Sequence, residues 1–322
     1  MSHRLAVLTM IVVALLWSIA GIVTLQLDSV RKFEMTFWRS LFNAAALLVL
    51  LPCLRGPRAF AYSLRHGGRV LWLSGVCWSV MFTAFMLALT LTTVANVLVT
   101  MAIAPLLTAV IAWRVLGSRL PRRTWATVVV AGAGITWMYA REVASADVGQ
   151  LLGTVVALCV PVAAAVNWTL LQASRAGADR DLLPAVAIGA MLSALVTLPL
   201  AWPLQASAHD MSWLALLGVA QLAIPCVLSV MAARTLTAPE ISLLALLEII
   251  FGVTWPWLAG QEVPAPHVLM GGSLVVGALA LNEAAALRRS RLVNLTPHAL
   301  PTPATIEAAP GFGLPGAEPP LR

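Results

Sequence analysis

Charge is what this sequence has least of. Only 10% of its 322 residues are Asp, Glu, Lys or Arg, against about 25% in soluble domains. The 13 acidic and 20 basic side chains are too few to cover a soluble all-helical protein with polar faces. The usual catalytic signatures are missing too: there is no Walker glycine loop with lysine, no HExxH, no CxxC and no Rossmann fingerprint. His3, His66, His209, His267 and His298 fall outside the cores of the apolar segments, and each Asp falls in a connecting segment. That excludes a buried histidine base or metal ligand, and the aspartate pair of an intramembrane hydrolase. Cys53, Cys77, Cys159 and Cys226 stand in apolar surroundings without metal-ligand spacing and read as packing residues. The expectation is a protein with no enzymatic activity, no cofactor and no metal.

What the chain has instead is hydrocarbon. Sixty per cent of it is apolar and its mean hydropathy is +0.91. Apolar runs of about 20 residues recur, the length that crosses roughly 30 Å of bilayer as a helix. Backbone groups in lipid must satisfy one another, so such runs are helical. The first run, 5–27, is longer than a signal-peptide core and lacks its cleavage site, so it reads as an uncleaved span. Ten transmembrane helices are expected, near 5–27, 33–54, 69–91, 93–116, 122–140, 149–174, 183–203, 212–236, 238–260 and 264–287. The connections are short and carry breakers, among them Pro57, Gly67, Gly68, Gly117, Pro121, Gly177, Gly260 and Pro264. Residues 292–322 hold seven prolines and read as a disordered cytoplasmic tail.

Arginine and lysine orient the spans. With the N-terminus in the cytoplasm, 15 of the 20 positive side chains fall at cytoplasmic ends, and only Arg31, Lys32 and Arg141 at outer ends. Both termini are then cytoplasmic. The basic pI of 10.2 reflects this topology signal and a contact surface for the anionic lipid bilayer. Nucleic acid is not an expected partner, because the arginines sit in short loops beside hydrophobic spans. The composition is rich in Ala and Arg and poor in Lys, which points to a bacterial inner membrane.

An offset of 143 residues aligns parts of the chain without gaps. Val13 and Ala14 fall on Val156 and Ala157, Gly75 and Val76 on Gly218 and Val219, Gly117 and Pro121 on Gly260 and Pro264, and Gly134 on Gly277. Two five-helix units follow, 1–143 and 144–291. Five is odd, so the second unit enters the membrane from the opposite side. Inverted repeats of this kind are a common build of secondary transporters, with a site near the midplane between the halves.

Several motifs carry a family resemblance over nearly all of 5–287. They are Leu15-Leu16-Trp17-Ser18; Phe37-Trp38-Arg39 with Asn43-Ala44-Ala45; Ala104-Pro105-Leu106-Leu107 with Leu116-Gly117; Leu246-Leu247-Glu248; Gly260-Gln261-Glu262; and Gly272 with Gly277. Together they resemble the EamA branch of the drug/metabolite transporter superfamily. Ile249 and Ser118 depart from its pattern, and Gln261 displaces the second-repeat glutamate by one position. The resemblance implies a ten-helix carrier that moves small metabolites, often outward, without ATP.

Polar side chains inside the spans are the candidate site, since an ionisable group there costs at least roughly 2.5–3.5 kcal/mol at the bilayer centre. Glu248 lies ten residues into its helix, about 15 Å deep. That depth suits proton coupling or cation recognition, and equally a hydrogen bond between two helices. Arg39 lies about 9 Å below the outer surface, where it either binds a carboxylate or phosphate or snorkels to headgroups. Asn43 shares its face. Asn167 and Gln221, with Asn96 and Gln172, are set to bond a substrate or a neighbouring helix. Trp17, Trp78 and Trp255, with Trp72 and Trp168, can wall a cavity for planar or cationic solutes. Trp202, Trp213 and Trp257 read as interfacial anchors. Pro105, Pro161, Pro225 and Pro256 fall within spans and are candidate hinges.

Two functions from different classes remain. One is a secondary transporter, most simply an exporter, of small metabolites, amino-acid-like solutes or drugs by alternating access, with proton coupling and homodimer formation left open. The other is a non-transporting scaffold or lipid-handling protein of the same fold. Solute transport into vesicles separates them.

Overall fold

The computed structural model describes residues 1–24, 27, 32–92, 94–117, 121–144, 149–174, 181–258 and 266–295. Ser118, Gly260, Gln261, Glu262 and the tail beyond 295 lie outside them, as do the side chains of Asn96 and Pro256. Met1–Asn282 form one compact unit, and a second begins at Glu283.

The described elements are all helical. They are α1 (His3–Ser18), α2 (Ala20–Thr24), α3 (Lys32–Arg55), α4 (Pro57–His66), α5 (Gly68–Leu91), α6 (Val94–Met101), α7 (Ala104–Leu116), α8 (Arg122–Ala144), α9 (Gly149–Ala173), α10 (Pro184–Ala201), α11 (Ala208–Leu216), a π-helical segment (Leu217–Ala223), α12 (Ile224–Ala232), α13 (Ala238–Ala245), α14 (Leu247–Leu258) and α15 (Pro266–Leu295). By length and apolar composition, six described stretches can cross a membrane: Phe33–Arg55, Gly68–Leu91, Val97–Leu116, Leu152–Ala173, Pro184–Ala201 and Ala208–Ala232. Among the described residues this is therefore an all-helical membrane protein. His3–Ser18 and Pro266–Asn282 are apolar but shorter.

The differences from expectation are mostly breaks. The run 5–27 is interrupted at Ile19, 93–116 at Ala102 and Ile103, and 238–260 at Leu246. Leu246 stands 143 residues after Ile103, the offset found in the sequence. The segment expected over 212–236 begins earlier, at Ala208. There Ser207 accepts from the Asp210 backbone N–H while the Asp210 carboxylate accepts from the Ser207 N–H, a capping box that fixes the first turn. It also puts Asp210 in a helix rather than a loop. The helix α4 was not expected, because ten polar-rich residues between two spans read as a connection.

The core runs through the unit from Met10 on α1 and Leu47 on α3 to Leu183, Leu236, Ile241 and Leu243. α5 packs on α9 and α10, α3 on α10 and the π segment, α7 on α9 and α13, and α1 on α12, α13 and α14. Two glycines set the closest approaches. A Cβ at Gly189 would lie 2.4 Å from the Trp78 Cβ and 2.8 Å from the Gly75 carbonyl oxygen. One at Gly218 would lie 2.4 Å from the Phe42 Cβ and 2.8 Å from the Arg39 carbonyl oxygen. Small residues let backbones meet where lipid supplies no hydrophobic drive, and here they fix Trp78 and Arg39.

Candidate functional site

Those two contacts bring α3 and α5 to the wall of one cavity of about 120 Å3. α1 contributes Trp17 and α3 contributes Arg39. α5 gives Trp78, Met81, Phe82 and Phe85, whose spacing of three and four residues makes one helical face. Met101 and Ala104 flank the break between α6 and α7, and Ala245, Leu246 and Glu248 flank the break between α13 and α14. Pro161, Ala164 and Trp168 come from α9, Gln221 from the π segment and Cys226 from α12. Both interrupted helices thus open on the same space. π turns and helix breaks recur where a helix serves a site rather than packing alone.

Arg39 is 4% exposed and its guanidinium has no hydrogen-bond or ion-pair partner among the described residues. Glu248 is half-buried and likewise unbonded among them. Both side chains line the cavity. The remaining polar groups on the wall are also incompletely bonded among the described residues. Gln221 donates from Nε2 to the Trp17 carbonyl oxygen at 3.1 Å, while its Oε1 has no partner. Neither the Trp78 Nε1 nor the Ser242 Oγ has one. Unpaired buried polar groups cost roughly 1–3 kcal/mol each, and such groups in a native structure call for an explanation. A polar solute in the cavity would satisfy them: Arg39 and the Trp78 N–H donate, Glu248 and the Gln221 Oε1 accept. The wall also carries aromatic rings, with Trp78 edge-on to Trp168 at 5.7 Å and tilted on Phe82 at 5.6 Å.

Of the residues singled out from sequence, Trp17, Arg39, Trp78, Pro161, Gln221 and Glu248 meet here, as does Trp168. Asn43 and Asn167 are fully buried but do not line the cavity. Asn167 accepts from the Ser74 Oγ at 2.6 Å, joining α9 to α5, while both amide atoms of Asn43 have no partner among the described residues. Trp255 is also off the wall; its Nε1 donates to the Ser18 Oγ at 2.8 Å, joining α14 to α1. Pro105 opens α7 and Pro225 opens α12, Pro161 lies inside α9, and Pro256 lies in the backbone of α14. Sequence reasoning missed Met81, Phe82, Phe85, Met101 and Ser242. On helices apolar all round, periodicity does not tell a cavity face from a lipid face.

Comparison with known proteins agrees with the architecture. A solved structure titled only "Crystal structure of protein" superposes with a TM-score of 0.75 at 18% identity, covering 89% of this chain and 99% of its own. This is a likeness of fold alone. No curated protein sequence matches. The EamA-like transporter family matches residues 4–140, a stretch running from α1 into α8. Over that stretch the chain is similar to the EamA-like transporter family.

Proposed function

We propose that this protein is a secondary carrier for small zwitterionic solutes, amino-acid-like in size and charge, exported by alternating access through ten spans. The spans form two inverted five-helix repeats, 1–143 and 144–291, in a bacterial inner membrane with both termini cytoplasmic. Arg39 holds the solute's carboxylate and Glu248 its ammonium group, or takes up a proton when the solute leaves. Gln221 and Trp78 fix the orientation. The carrying observation is that the buried Arg39, without a hydrogen-bond or ion-pair partner among the described residues, lines one cavity with Glu248. The break positions of α6/α7 and α13/α14, separated by the repeat offset, support the inverted repeat, since half-helices at a midplane site are the hallmark of such carriers.

The test is uptake of labelled zwitterionic solutes into proteoliposomes, with and without an imposed proton gradient. Saturable uptake that Arg39→Gln abolishes supports the reading. Uptake of none of these solutes, or uptake indifferent to both Arg39→Gln and Glu248→Gln, sinks it.

A further inference from the structure

No acidic residue stands between Glu34 and Glu142, yet the first third of that interval carries Arg55, Arg58, Arg65 and Arg69. Arg55 reaches Asp181 at 3.9 Å, a carboxylate that also takes Arg234 at 2.9 Å. Arg58, Arg65 and Arg69 have no ion-pair partner among the described residues. Two of them lie on α4. This helix is bracketed by Gly56 (φ 83) and Gly68 (φ 62), left-handed turns that only glycine adopts at little cost, and Pro57 occupies its first position. A packed core has no need of such an element: none of its residues is fully buried.

Its two faces differ in chemistry. Phe60 and Leu64, one turn apart, pack against the core, and the helix rests on α3 and α10. Arg58, Tyr62 and Arg65 follow at spacings of four and three, hence on one face, and all three are exposed. Tyr62, 64% exposed, is held by ring stacking on His66 at 4.2 Å, and the His66 Nδ1 approaches the Tyr62 carbonyl oxygen at 3.1 Å. Beside α4, α3 exposes Val49 and Leu54, and α5 exposes Trp72 and Leu73. Apolar side chains exposed on the flanking spans, then a tyrosine between two unpaired arginines, follow the order of a bilayer from acyl chain to headgroup.

We infer that α4 docks anionic phospholipid, its headgroup phosphate bonded by Arg58 and Arg65 with Tyr62 seated at the acyl boundary. Charge complementarity selects the anionic lipid, because zwitterionic headgroups bring a cation of their own to the same arginines.

The experiment uses the full chain, purified and placed in nanodiscs of phosphatidylcholine with increasing phosphatidylglycerol, with retained lipid counted by mass spectrometry after extraction. Wild-type protein should enrich phosphatidylglycerol over the bulk mixture. The Arg58→Gln/Arg65→Gln variant should lose roughly tenfold in preference, given the attraction of each arginine to an anionic surface. Arg58→Lys/Arg65→Lys should keep most of it. Arg114→Gln, which removes an exposed arginine on another helix, should change little. Equal enrichment in wild type and the Gln double variant overturns the inference, as does an equal loss in Arg114→Gln, which would make the effect one of total charge. Displacement of the lipid by millimolar inorganic phosphate also overturns it, since the site would then be a free-anion site.

Discussion

Arg39 and Glu248, from helices in opposite halves of the chain, face one cavity and neither is bonded to a described protein group. A structural ion pair would close that distance, because an unpaired buried charge is among the costliest features a fold can hold. On the proposed function, the two side chains receive a solute between them.

Replacing either member should therefore affect transport before stability. Arg39→Gln and Glu248→Gln should each reduce solute transport roughly tenfold or more, the loss of one charge-assisted bond. Arg39→Lys should recover only part, because lysine lacks the planar fork. Proteoliposome uptake measures this, with size-exclusion profiles as the folding control. Variants that transport as well as wild type would remove both residues from the site.

The glycine contacts predict the opposite pattern. Gly189→Ala forces a methyl group onto the Trp78 Cβ and the Gly75 carbonyl and should cost about 1–3 kcal/mol as overpacking. Gly132→Ala meets nothing within 4 Å and should be neutral or slightly stabilising, as alanine is the better helix former. Thermal unfolding in detergent distinguishes them; equal melting temperatures would mean α5 and α10 are not held at this distance.

Glu34 ties α3 to the segment before α11. It is fully buried, and its Oε1 accepts from the Gln205 N–H at 2.6 Å, the Ala206 N–H at 2.8 Å and the Trp38 Nε1 at 3.4 Å. Glu34→Ala leaves two backbone donors unpaired and should destabilise by about 2–4 kcal/mol. Glu34→Gln keeps an acceptor oxygen there and should cost clearly less. Denaturation of the two variants side by side decides it: similar losses would mean the backbone bonds are not the source.

Trp255 separates a packing tryptophan from a cavity one. Trp255→Phe removes the donor to Ser18 and should cost about 0.5–1.5 kcal/mol with solute affinity unchanged. Trp78→Phe keeps the aromatic wall but deletes a donor with no partner among the described residues, and should weaken solute affinity. If Trp255→Phe alters affinity as much as Trp78→Phe, the boundary drawn around the cavity is wrong.

The sequence by itself determined the medium and a family resemblance. Long apolar runs with so few charges leave no folded alternative to membrane helices, because backbone groups without water must bond within the segment. The motifs around Trp17, Arg39 and Pro105 carried the family resemblance. Glu248 and Arg39 stood out because an ionisable group in an apolar run is costly wherever that run packs. Tertiary structure alone decided which polar groups share a space. Trp255 and Glu248 lie seven residues apart on one face of α14, yet only Glu248 reaches the cavity. Asn43 follows Arg39 by one turn and is buried between helices instead. The breaks at Ile103 and Leu246, the π segment carrying Gln221 and the surface helix α4 were equally hidden. Each depends on what a helix packs against, and on helices apolar on every side the sequence pattern does not record which face meets protein, lipid or cavity.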